Sequence, residues 1–253
     1  DNHVLSLLAA RAHLILGEAC RADHWPDDQR KEAWRKMAHH FVKAGEILAD
    51  FDALTQMSPL LAEAQYMQAL GSPAGAHKLP ELFDAWIDLD PANPAIYEAH
   101  ARYLSDPEAV SDDDIRRLAE EATVRTEDSL GFGGYALFFL PLLDTREGAR
   151  DLLDAELFAS ALMDLASISA NQAEANWAAG RLAAEMKASD DDTAQVLRDT
   201  LFMLIESHVA VIYPRLWPID QEEVEALVAE ADILPGLLKD AGFAKPSKYA
   251  AAA

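Results

Sequence analysis

The chain has 253 residues, 51% hydrophobic and 26% charged, enough to build a globular fold that buries about three quarters of its unfolded surface. Its 44 acidic residues outweigh 21 basic ones, for a net charge of -23. Such a field repels nucleic-acid phosphates and anionic lipid headgroups, so neither nucleic acid nor a membrane surface is an expected partner.

Helical periodicity runs through the chain, and alternating strand patterns are nearly absent. Residues 3–21 form the first expected helix, with Leu5, Leu8, Ala12, Ile15 and Ala19 on one face. The same stretch lacks a basic leader and a small-residue cleavage site, so it does not read as a signal peptide. Residues 27–51 form the second, with Trp34, Ala38, Phe41, Gly45 and Leu48 on one face. Ser58-Pro59 marks the start of a third over 58–70, as an N-cap followed by proline at the first helical position. The Gly- and Pro-containing loop 71–78 follows, and is the one candidate for a minor break in an otherwise single domain of residues 1–253.

Helices are then expected over 79–89, 93–104, 112–128, 132–143, 147–167, 169–188, 192–213, 220–231 and 233–241. Capping signals support several of these starts. Ser111 precedes three aspartates, Asp190 to Asp192 crowd charge at a helix start, and Asp144 and Asp220 each have a Glu three residues on. The fold class is therefore all-α, about twelve helices in antiparallel pairs.

Residues 79–104, LPELFDAWIDLDPANPAIYEAHARYL, resemble a tetratricopeptide-repeat junction. Phe83, Ile87, Leu89, Asp90, Pro91 and Asn93 stand where that family ends its second helix. Tyr97, Ala101 and Leu104 match its aromatic, small and large positions in the next helix. Trp86 departs from the pattern, standing where the family has a small alanine, and implies altered packing. The resemblance implies a degenerate helical repeat, either an α-solenoid or a compact domain, that presents a groove to a peptide. It also implies that Glu98 and Arg102 face that groove, four residues apart on one helical side.

Chemical motifs are scarce. Gly131-Phe132-Gly133-Gly134 lacks the Lys-Ser/Thr of a phosphate loop and follows a helical pattern rather than a strand, so it reads as a hinge between helices. No His-Glu-x-x-His or Glu-x-x-His occurs, and the adjacent His39 and His40 diverge by about 100° on a helix. His100 fits a hydrogen-bonded, partly buried core position. Gly-x-Ser-x-Gly is absent, and the single Cys20 rules out an internal disulfide and fits a reducing, cytoplasmic setting. The five tryptophans read as core anchors between helices. No metal, cofactor or catalytic residue is assigned. The expected function is a non-enzymatic interaction module for a basic or mixed peptide or protein partner, with Glu98 and Arg102 as binding residues. The alternatives are an all-α enzyme or small-ligand binder with a pocket built from separated helices, and a homodimer formed through an exposed helix face.

Overall fold

Helix boundaries in the computed structural model follow the capping chemistry closely. The structure describes residues 2–21, 25–72, 74–108, 110–169 and 171–230; the helix expected over 233–241 lies outside them. Among the described residues there is no strand, and eleven α-helices succeed one another. These are α1 (His3–Ala19), α2 (Arg30–Leu48), α3 (Pro59–Leu70), α4 (Leu79–Leu89), α5 (Pro94–Leu104), α6 (Asp112–Leu130), α7 (Gly133–Thr145), α8 (Ala155–Ser169), α9 (Gln172–Ala188), α10 (Asp191–His208) and α11 (Gln221–Glu230). No helix among the described residues is long and apolar enough to cross a membrane.

The caps do the work that their sequence signals promise. The Ser58 hydroxyl accepts from the Leu61 N–H at 3.3 Å with Pro59 behind it. Ser111 accepts from the Asp114 N–H at 3.2 Å and donates back to that carboxylate. Asp190 accepts from Thr193 N–H at 2.9 Å. Asp144 does not start a helix; it sits in the last turn of α7, and Gly148 at φ +77° then breaks the chain direction. The expected helix 147–167 becomes a 3-10 turn, Ala149–Leu152, followed by α8. Asp154 caps α8 by accepting from the Leu157 N–H at 2.9 Å.

The chain divides into two compact units. Unit 1 is Asp1–Ile115 with Pro141–Glu147, and unit 2 is Arg116–Leu140 with Gly148–Ala253. The 71–78 loop lies inside unit 1. Its would-be Cβ at Gly75 falls 2.4 Å from the Ala69 carbonyl oxygen, so the loop lies tight against the end of α3.

In unit 1, α1 packs on α2 and α3, α3 on α4, and α4 on α5. Phe41 is its pivot. A Cβ at Gly17 of α1 would lie 2.8 Å from the Phe41 ring, and one at Gly71 would overlap it. Two glycines therefore let helix ends close on one aromatic ring. The faces expected for α1 and α2 are rotated from those observed. Leu7, Ala10, Leu14 and Gly17 are buried on α1, and Ala33, Phe41, Ala44 and Leu48 on α2. Trp34 and Ala38 face solvent, as do Leu5, Leu8, Ala12, Ile15 and Ala19. Helix α1 is apolar on nearly all sides, so periodicity alone could not select its inner face.

In unit 2, α8, α9 and α10 pack against one another around Phe158, Leu162, Leu182, Leu197 and Leu201. Burying each such side chain contributes about 1.5–3 kcal/mol. The expected helix 192–213 stops at His208 because α9 captures the chain beyond it. Gln172 accepts from the Ala210 and Val211 N–H groups at 2.7 and 3.1 Å and donates to the His208 carbonyl. The fully buried Asn176 donates to the Val211 carbonyl at 2.7 Å and accepts from Tyr213 N–H and Trp217 Nε1. Gly180, one turn on, leaves room for the backbone at Leu216 and Trp217. Side-chain amides have replaced helix hydrogen bonds for this segment.

Candidate functional site

The α4–α5 junction carries the repeat-like residues. Leu89 ends α4, and Asn93 accepts from the Ala95 N–H at 3.1 Å to start α5, with Pro94 at its first position. Tyr97 is buried, donates to the Pro91 carbonyl at 2.9 Å and meets the Phe83 ring edge-on at 5.9 Å. Burial raises the Tyr97 phenol well above its usual range. Trp86, the departure from the pattern, is buried and lies 5.6 Å from the Tyr66 ring of α3. Its large side chain thus fills space between α4 and α3.

His100 is 1% exposed and stacks on Phe83 at 3.9 Å. Its Nδ1 lies 2.8 Å from the Tyr66 hydroxyl, while its Nε2 is buried without a hydrogen-bond partner. Burial drives its pKa down to about 3, so the ring is neutral in the fold. Core packing, rather than proton transfer, is the chemistry this ring can do.

Glu98 and Arg102 project from the exposed side of α5. Among the described residues no ion pair joins them, although their spacing would allow one.

A cleft lies elsewhere in unit 1, where α1 and α3 end beside α2. It has a volume of about 680 Å³, and its lining includes Glu18, Arg21, Arg30, Trp34, Met37 and Gly71. Phe41 forms its floor, clamped by the glycines already described. Trp34 is 52% exposed, so the expectation of a core anchor fails there, as it does for Trp25. Arg21 pairs with Glu18 at 3.2 Å and Arg30 with Asp27 at 3.0 Å. Both are exposed pairs three residues apart, each worth about 0.2–1 kcal/mol, and so are readily exchanged for a ligand's carboxylate. The sequence reading missed this cleft because its residues come from three separate helices.

Among the described residues no group of three or more His, Cys, Asp or Glu side chains could hold a metal ion. His13 and His40 place their Nδ1 atoms 2.9 Å apart across α1 and α2, a pairing that the divergence of His39 and His40 did not suggest. Desolvation, then His13 and His39, lower the His40 pKa. Ser167 Oγ lies 2.9 Å from His208 Nε2, but the hydroxyl also bonds the Met163 carbonyl, and Ser207, not a carboxylate, holds the other ring nitrogen. Cys20 is half-buried at the end of α1.

The glycine cluster shows its own answer. Only Gly131 has a left-handed backbone, at φ +56°, while Gly133 and Gly134 begin α7. The neighbouring Phe132 N–H, where a phosphate would dock, already donates to the Asp164 carboxylate at 2.7 Å. Gly134 allows close approach to Thr126 of α6. The loop carries its own anion.

No family model matches the chain, and it matches neither a curated protein nor a solved structure.

Proposed function

We propose that the chain is a non-enzymatic, helical-repeat-like interaction module that holds a peptide segment of mixed charge from a partner protein. The observation that carries this reading is the cleft beside Trp34. An exposed indole and Met37 offer an apolar seat, while Glu18, Arg21 and Arg30 offer both signs of charge around it. Aromatic and Arg side chains of this kind dominate binding energy at interfaces. Glu98 and Arg102 extend the reading to α5, where an unpaired carboxylate and guanidinium suit a peptide backbone or terminus.

A second reading, a small-ligand binder, is favoured by one observation: a volume of about 680 Å³ falls in the range of ligand pockets. The lack of convergent buried polar groups in the lining weighs against catalysis there.

Panning a displayed library of random dodecapeptides against the full chain tests the proposal. Enriched peptides should carry one aromatic or leucine flanked by charges. Trp34→Ala should weaken them about 10–100-fold in calorimetric titration, with helicity unchanged. Glu98→Ala with Arg102→Ala should weaken those whose contacts reach α5. Failure to enrich any sequence, or indifference of the enriched ones to Trp34→Ala, overturns the peptide reading.

A further inference from the structure

The face of α1 turned away from unit 1's core is apolar along its whole length. At about 100° per residue, Val4, Leu5, Leu8, Ala9, Ala12, Ile15, Leu16 and Ala19 share one side of the helix, opposite Leu7, Ala10, Leu14 and Gly17. Leu5 is 64% exposed, Leu8 61% and Ile15 68%. No charged residue interrupts this side, in a chain whose net charge is -23. The exposed stripe amounts to on the order of 600 Å² of apolar surface, at the upper end of what a monomer shows. A standard interface needs about 800 Å² from each partner, so the stripe supplies most of one side.

We propose that this stripe is the interface of a symmetric homodimer, in which α1 packs antiparallel against α1 of a second copy. The identity of the occupant comes from the sequence order along the stripe, which is self-complementary about Ala12. Leu8 and Leu16 lie four residues to either side of it. A two-fold axis at Ala12 puts Leu8 level with the partner's Leu16. It also puts Leu5 level with the partner's Ala19, and Ile15 level with the partner's Ala9. Leu5 and Ile15 thus meet small side chains, Leu8 and Leu16 meet each other, and Ala12 at the centre lets the two backbones approach closely. An isologous contact requires such a match of a surface with itself, and an unrelated partner does not. Antiparallel α1 helices also oppose their dipoles favourably. Beside the stripe, Ile15 borders a groove of about 250 Å³ between α1 and α3, where Leu14, Ala64 and Met67 offer further apolar lining. The acidic remainder of each copy opposes association, so added salt should strengthen the dimer by screening that repulsion.

The dimer surface and the peptide cleft adjoin at Glu18, yet Leu8 and Ile15 do not line the cleft and Trp34 is not on the stripe, so the two proposals can fail separately. Sedimentation velocity on the full chain should give twice the 27.7 kDa chain mass at micromolar concentration, with a larger dimer fraction at 0.5 M than at 0.05 M sodium chloride. Leu8→Glu with Ile15→Glu should give the monomer mass with an unchanged helical spectrum, because both side chains are exposed. In a Cys20→Ser background, Ala12→Cys should form an intermolecular disulfide under mild oxidation. Val124→Cys, exposed on α6, should not. A monomer across the concentration and salt range overturns the proposal. So does a dimer that survives the double substitution, or one whose Ala12→Cys chains fail to cross-link.

Discussion

His100 sets a pH dependence for the fold. Its folded pKa of about 3 lies below the unfolded value of roughly 6.5, so the unfolded chain binds the extra proton. Its contribution is present above pH 6.5 and lost progressively as the pH falls toward 3. The loss is about 1.4 kcal/mol per pH unit within that window. Thermal melts between pH 7 and 4 should show a steep fall that His100→Phe flattens. That single change strands the Tyr66 hydroxyl, which is fully buried, and should cost about 1–3 kcal/mol at pH 7. Adding Tyr66→Phe removes both partners and should recover most of the loss, as a double-mutant cycle will report. A second residue-scale expectation concerns Gly131. Alanine there must adopt φ +56° with a Cβ 2.4 Å from the Asp164 carboxylate, so Gly131→Ala should destabilise by about 2 kcal/mol in urea melts. Gly133→Val should also destabilise, but through contact with Leu165 at 2.5 Å and not through positive φ. The sequence placed His100 near the core and Gly131–Gly134 at a reversal. It could not say which glycine bends the backbone, because that depends on Asp164 arriving from α8.

Element boundaries were legible wherever a local cap decides them, as at Ser58, Ser111 and Asp190. They were lost where a distant side chain overrides local propensity. Gln172 and Asn176, four apart on α9, end the following helix at His208 by binding the chain beyond it, a signal that single-helix periodicity does not contain. Asn176→Leu should therefore leave the Val211 carbonyl, the Tyr213 backbone N–H and the Trp217 indole N–H unpaired, costing about 3 kcal/mol or more by chemical denaturation. Hydrogen exchange should quicken first over 209–217. Arg146 is the comparable case in unit 1. Its side chain is buried and donates to the Leu104 and Val110 carbonyls at 2.6 and 3.2 Å and to Asp112 at 2.7 Å. A lysine lacks the planar fork, so Arg146→Lys should still destabilise by about 2–3 kcal/mol. The turn between α4 and α5 was readable because Asp90, Pro91 and Asn93 lie together in the sequence, whereas the Trp34 cleft draws on three helices and left no local mark.

At the scale of the whole molecule, composition alone carries one further expectation. A net charge of -23 should prevent retention on immobilised duplex or single-stranded DNA at physiological salt, and salt-sensitive retention would reveal a basic patch strong enough to defeat that field. The all-helical class was likewise plain from periodicity and caps, while the division into two units was not, because two of its three boundaries fall inside helices and the third at the short turn of Gly148. The chain passes from unit 1 into unit 2 within α6, after Ile115, and returns for Pro141–Glu147 within α7. That interleaving bears on how the protein is made. Arg146 follows Val110 by 36 residues and Leu104 by 42, with the first stretch of unit 2 synthesised in between. A nascent chain therefore holds the end of α5 open until translation has moved well past it, and the order of synthesis is not the order in which unit 1 can close.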